Sequence, residues 1–85
     1  MNDEGNCAAV RAGRCPDCGD EQMIAGPWGG ASRNLYCAVC LSAWCAHGIK
    51  YGVISVQPVG KITRDVIEWA KRVYHDERWH GSKQR

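Results

Sequence analysis

The sequence predicts a small, metal-stabilised α+β domain: three to four short antiparallel strands and one C-terminal amphipathic helix. Three observations predict it. The chain has only 85 residues, and a core that small rarely holds a fold without a staple. Two C-x2-C pairs, Cys15/Cys18 and Cys37/Cys40, stand 18 residues apart, inside the interval that metal-binding knuckle pairs favour. Apolar residues recur at helical spacing near the C-terminus.

Residues 1–14 show no clear periodicity, and Cys7-Ala8-Ala9-Val10 reads as a short strand or turn. Met23-Ile24-Ala25 reads as a short strand, Gly26-Pro27-Trp28-Gly29-Gly30 as a turn, and Asn34–Cys37 as a returning strand. Two strands around a Gly/Pro turn make a hairpin, with Trp28 at its tip. Leu41–Cys45 extends a third strand. Lys50–Pro58 is the strongest strand candidate, because Tyr51, Val53, Ile54 and Val56 are β-formers and Pro58 stops the ladder. Thr63 reads as the N-cap of a helix over about 63–79, with Asp65 and Glu68 near its first turn and a Glu68/Arg72 pair along it. Ile62, Val66, Ile67, Ala70, Val73 and Tyr74 form its apolar stripe. Val66, Ala70 and Val73 are expected to pack on a sheet face offered by Val53, Ile54 or Val56. Trp79 falls on the last helical turn. Residues 81–85 are expected to fray.

The organisation is one domain over 1–85. A metal-binding core spans about 14–46, and a strand-and-helix extension spans about 47–80. Net charge is +2. Residues 1–60 carry four basic against five acidic side chains, and residues 61–85 carry seven against four. That is a mild basic tail and not the footprint of a dedicated nucleic-acid binder. The longest apolar run, Leu35–Leu41, is seven residues, far short of the roughly 20 that span a membrane. The acidic start lacks the apolar region of a secretory signal. The expected location is cytoplasmic, where cysteines are more often metal ligands than disulfides.

Cys15, Cys18, Cys37 and Cys40 carry the strongest motif. Two cysteines three apart in a tight turn aim both sulfurs at one point. Two such knuckles complete a tetrahedron of thiolates around one Zn²⁺, which defines a zinc ribbon. Pro16 and Gly19 suit the first knuckle. Four thiolates close the coordination sphere, so the ion is structural and the motif argues against metal catalysis. Iron also suits four thiolates, but zinc is the better match to an isolated ribbon. A thioredoxin-like pair at Cys15/Cys18 would need a βαβ context, and nothing helical follows Cys18.

Other residues admit sharper and blander readings. Cys7 and Cys45 read as free cysteines; the sharper reading joins Cys45 and His47 to His75 or His80 in a second metal site. His75-Asp76-Glu77 spells the H-x-E of zinc deaminases without the P-C-x-x-C that must follow it. No nucleophile elbow, P-loop or H-E-x-x-H is present, and no enzyme or small-molecule substrate is expected. Trp28 either anchors a partner or folds back on the ribbon, with Arg33 beside it; Trp44 reads as core and Trp69 as a stripe edge. Arg64, Lys71 and Arg72 are either a solvated helix face or phosphate contacts. The expected function is a binding module for a protein, using Trp28, Arg33, Arg64, Lys71 and Arg72. The alternative is nucleic-acid binding through Trp28, Arg33 and the basic helix.

Cys15-Pro16-Asp17-Cys18-Gly19, then Gly26-Pro27-Trp28-Gly29-Gly30-Ala31-Ser32-Arg33-Asn34, then Cys37-Ala38-Val39-Cys40 resembles the small zinc-ribbon proteins common in bacteriophages and prophages. Their pattern is CPxCG, GPxGGxSxN and a second CxxC. The resemblance covers about 14–46, and its specific part is the GPxGG-plus-Asn segment. It implies the ribbon fold and a phage setting, and no settled activity; the host or phage protein expected as target, such as transcription or defence machinery, belongs to the binding-module reading above. The chain departs from the pattern at Leu41, where a glycine is usual, and in its longer C-terminal extension.

Overall fold

The computed structural model describes residues 3–75, 77–79 and 81. Helix α1 spans Asp3–Arg11. Strands β1 (Met23–Gly29), β2 (Ser32–Cys37), β3 (Ser42–His47) and β4 (Ser55–Lys61) follow, then helix α2 (Arg64–Val73). The strands form one antiparallel meander in the order β1-β2-β3-β4. Small α+β architecture with a four-stranded sheet and a C-terminal helix is as the sequence predicts.

The sheet buries both faces. Side-chain alternation along each strand explains how. Met23 pairs with Cys37, Ala25 with Leu35 and Leu35 with Trp44, and this face packs against Cys7 and Val10 of α1, with Val53, Val56 and Trp79. Ile24 pairs with Tyr36 and Tyr36 with Ala43, and this opposite face meets Ile67 and Ala70 of α2.

Helix α1 replaces the strand or turn expected around Cys7–Val10. Its core anchors are Cys7 and Val10, one turn apart, among residues that include the weak helix formers Gly5 and Asn6. Two anchors are too few to register as periodicity, and tertiary burial makes the helix instead. Arg11, in its last turn, donates from Nε to the Gly52 carbonyl at 2.9 Å and from Nη2 to the Val53 carbonyl at 2.8 Å.

The expected Gly26–Gly30 turn is part of β1. Ala25 pairs with Leu35 and Trp28 with Arg33, so β1 carries one extra residue across Gly26-Pro27, which is a bulge. Gly26 is required there because a Cβ would sit 2.6 Å from the Tyr36 ring. The true tip is Gly30-Ala31, following the Gly29–Ser32 pair. Trp28 therefore stands on a strand.

The Lys50–Pro58 strand also shifts. Ile49–Tyr51 is a 3-10 turn between left-handed Gly48 and Gly52. Val53 also takes φ 66°, a strained conformation for a β-branched residue. It is fully buried, and Arg11 occupies its carbonyl. Strand β4 runs through Pro58 to Lys61. It is the edge strand, and its register against β3 shifts where Pro58 opposes Trp44 and Gly60 opposes Ala43. Edges and bulges are where a sheet tolerates proline.

Helix α2 starts after Thr63, as expected, but ends at Val73. His75 has φ 59° and follows the helix end, and Asp76 lies outside the described residues. Residues 77–79 then pair with β1: the Ala25 amide donates to the Glu77 carbonyl at 2.9 Å and the Trp79 amide to the Met23 carbonyl at 3.0 Å. Trp79 is buried, with Nε1 donating to the Val10 carbonyl at 2.9 Å. The expected packing of Val66, Ala70 and Val73 on Val53, Ile54 or Val56 is corrected. Val53 and Val56 face the α1 side, Ile54 is exposed and Val73 is 46% exposed. The face met is that of Ile24, Tyr36 and Ala43, where Ala70 packs as expected, Val66 is partly buried beside it, and Ile67 takes the place expected of Val73.

Candidate metal centre

Two knuckles of matching design bring the four cysteines together. In the first, the Gly19 amide donates to the Cys15 carbonyl at 2.8 Å and the Asp17 amide to Cys15 Sγ at 3.3 Å. In the second, the Leu41 amide donates to the Cys37 carbonyl at 3.0 Å. There the amides of Val39 and Cys40 reach Cys37 Sγ at 3.4 and 3.5 Å. The residue after each knuckle is left-handed, Gly19 at φ 78° and Leu41 at φ 64°. Leu41 accepts the strained dihedral and packs on the Ile24/Tyr36 cluster.

The sulfurs of Cys15, Cys18, Cys37 and Cys40 all lie within 4.8 Å of one another. The Cys15–Cys40 and Cys18–Cys37 separations are both 3.6 Å. A tetrahedron with metal–sulfur bonds of roughly 2.3 Å has edges of about 3.8 Å, so the four residues fit a metal ion with little adjustment. Cys15 and Cys37 are buried, Cys40 is half-buried and Cys18 is exposed.

The thiols differ in acidity. Burial pushes Cys37 up to about 12 and also raises Cys15. Burial acts to raise Cys40 too, but hydrogen bonding with the Ser42 side chain and main chain and with the facing cysteines outweighs it and brings it down to about 7. A polar cluster surrounds Cys40. Its Sγ lies 3.3 Å from Ser42 Oγ, and the Ser42 hydroxyl donates to Asp17 Oδ2 at 2.7 Å. Lys61 Nζ donates to Ser42 Oγ at 2.9 Å, to Asp17 Oδ2 at 3.1 Å and to the Cys40 carbonyl at 3.4 Å. The Ser42 and Lys61 bonds hold Asp17 below its ordinary value, and Asp17 in turn raises Lys61.

The residues expected at a partner surface are scattered. Trp28 is 56% exposed, near the hairpin end of the sheet and away from the four-cysteine cluster. Arg33 departs from its expected role as a partner contact: it is 6% exposed. Its Nε donates to the Gly26 carbonyl at 2.9 Å, its Nη2 pairs with Glu77 Oε1 at 2.9 Å, and its guanidinium lies 4.6 Å from the Trp28 ring centre. Arg64, Lys71 and Arg72 are exposed on α2; the Glu68/Arg72 pair is not formed among the described residues. Tyr51, 74% exposed, was not singled out as a site residue; with Trp28, Ile49 and Lys50 it lines a groove of about 400 Å³. The signal for it was an aromatic flanked by Lys50 and Gly52.

Cys7 is a buried thiol whose Sγ lies 3.5 Å from the Ile54 carbonyl, and Cys45 is half-buried. His47 Nδ1 contacts Ser32 Oγ at 2.7 Å. Cys45, His47 and His75 join no metal cluster among the described residues, and His80 lies outside them. No described helix is long and apolar enough to cross a membrane. No protein-family model, curated protein or solved structure matches the chain.

Proposed function

We propose that this protein is a small, non-enzymatic zinc-ribbon binding module, phage-encoded, that docks on a host or phage protein of the transcription or defence machinery. Cys15, Cys18, Cys37 and Cys40 hold one structural Zn²⁺. The observation that carries the reading is the sulfur geometry, four thiols at tetrahedral spacing. A four-thiolate shell leaves no ligand position for a substrate, which suits a structural ion better than a catalytic one. The phage setting rests on the resemblance over residues 14–46. A cytoplasmic location suits thiolate ligands, which need reducing conditions.

The docking surface is the end of the sheet remote from the cysteines. Trp28, Tyr51 and Ile54 are exposed there, and Arg33 braces the Trp28 ring from beneath. A ring held in place before binding loses little freedom on binding, which favours affinity. The basic face of Arg64, Lys71 and Arg72 lies on α2 and is interleaved with acidic residues.

Elemental analysis of reduced, folded protein should find about one zinc per chain; folded protein without metal overturns the reading. For the partner, Trp28→Ala should weaken capture by at least about 2 kcal/mol, roughly 30-fold, with little change in melting temperature. Binding that survives nuclease and high salt indicates a protein target. Binding that collapses with salt indicates nucleic acid instead.

A further inference from the structure

Three of the four sulfurs have hydrogen-bond partners outside the cysteine set, and the partners differ in kind. Cys15 and Cys37 receive main-chain amides, from Asp17 and from Val39 and Cys40. Substitution of a side chain leaves those donors in place. Cys40 Sγ instead faces a side chain, the Ser42 hydroxyl at 3.3 Å. Ser42 is only 4% exposed, and its oxygen is gripped by Asp17 Oδ2 at 2.7 Å and Lys61 Nζ at 2.9 Å.

Counting protons gives this cluster a direction. A Cys40 thiol gives its proton to Ser42 Oγ, and Ser42 gives its single hydroxyl proton to Asp17. A metal-bound Cys40 is a thiolate. It has no proton to give and needs a donor. Lys61 has three N–H groups and already reaches Asp17 Oδ2 at 3.1 Å, so the carboxylate keeps a partner when the hydroxyl turns away. Its positive charge also stands beside a centre that, with four thiolates and a divalent ion, carries a net charge of −2. We infer that Ser42 and Lys61 are positioning residues for the metal. On loading, the Ser42 hydroxyl turns from Asp17 to Cys40 Sγ, Lys61 holds Asp17 in its place, and together they slow release of the ion. This rests on the metal-binding reading above.

The test uses the full chain loaded with one equivalent of Zn²⁺ or Co²⁺. Zinc transfer to an excess of chromophoric chelator should be at least about 10-fold faster in Ser42→Ala, the scale on which outer-shell partners act. Lys61→Met should move the rate the same way and Lys61→Arg should restore it. Lys71→Met, on α2, should leave it unchanged. In the Co²⁺ form, Ser42→Ala should shift the position of the sulfur-to-cobalt charge-transfer band, which a merely looser fold would not do. The Lys61 side chain is 64% exposed, so Lys61→Met keeps the test open even where Ser42→Ala fails to fold. Wild-type release rates in Lys61→Met, with an unmoved band in a folded Ser42→Ala, overturn the inference. A wild type that takes up no ion overturns the metal-binding reading itself.

Discussion

A guanidinium with almost no exposure must satisfy its N–H donors inside the fold. Arg33 does so with the Gly26 carbonyl that the β1 bulge turns toward it and with the Glu77 carboxylate. Arg33→Met leaves both acceptors without that partner and removes the brace under Trp28. The expected loss is about 1–3 kcal/mol, measurable by urea denaturation. Hydrogen bonding to Arg33 lowers Glu77 below its ordinary 4.5. Its stabilising contribution is therefore complete above pH 4.5 and is lost as pH falls through the lowered native value. Melting curves of wild type and Glu77→Gln should differ near neutrality and converge on acidification. At this scale the cysteines were legible because ligand spacing is a local rule. The burial of Arg33 was not, because it depends on a bulge and on residue 77, which is 44 positions away.

Helix α2 offers a wide apolar stripe and uses a narrow part of it. The sheet presents only Ile24, Tyr36 and Ala43 beneath it, so Ile67 and Ala70 bury while Val73 and Trp69 stay at the rim. Ile67→Ala should cost about 2–5 kcal/mol. Val73→Asp should stay within about 0.5 kcal/mol, as exposed substitutions do. Thermal melts of the two variants check the pair, and the opposite ranking would mean that the helix is rotated. The period of the stripe was readable from the sequence; which residues of it meet the sheet depends on where the helix lands. Strand β4 was displaced for a similar reason. The glycines at 48 and 52 spend the β-forming residues Tyr51 and Val53 on a turn, and the edge position that admits Pro58 is a property of the whole sheet.

Across the whole molecule, the cysteine cluster joins the segment before β1 to the β2–β3 turn, and the structural Zn²⁺ proposed there would contribute about 10–16 kcal/mol, as in comparable small sites. Chelation of the ion, or Cys37→Ser, should unfold the ribbon, seen as loss of the cooperative melt. Uptake should weaken as pH falls, because Cys15 and Cys37 hold their protons tightly and the ion must displace them. A competition titration across roughly pH 6–8 checks the sign. Trp79 closes the other side of the molecule on Val10, and Trp79→Ala should cost about 3–5 kcal/mol in denaturant.

The latch of Trp79 on Val10 has a consequence for the order of assembly during synthesis. Both knuckles are synthesised well before residue 79 is. At about 5–20 residues per second the delay is a few seconds. In that interval the nascent chain can already gather an ion, while α1 still lacks the indole that seals it. On the proposed metal-binding reading, metal capture would be the first commitment of the chain and the aromatic latch its last.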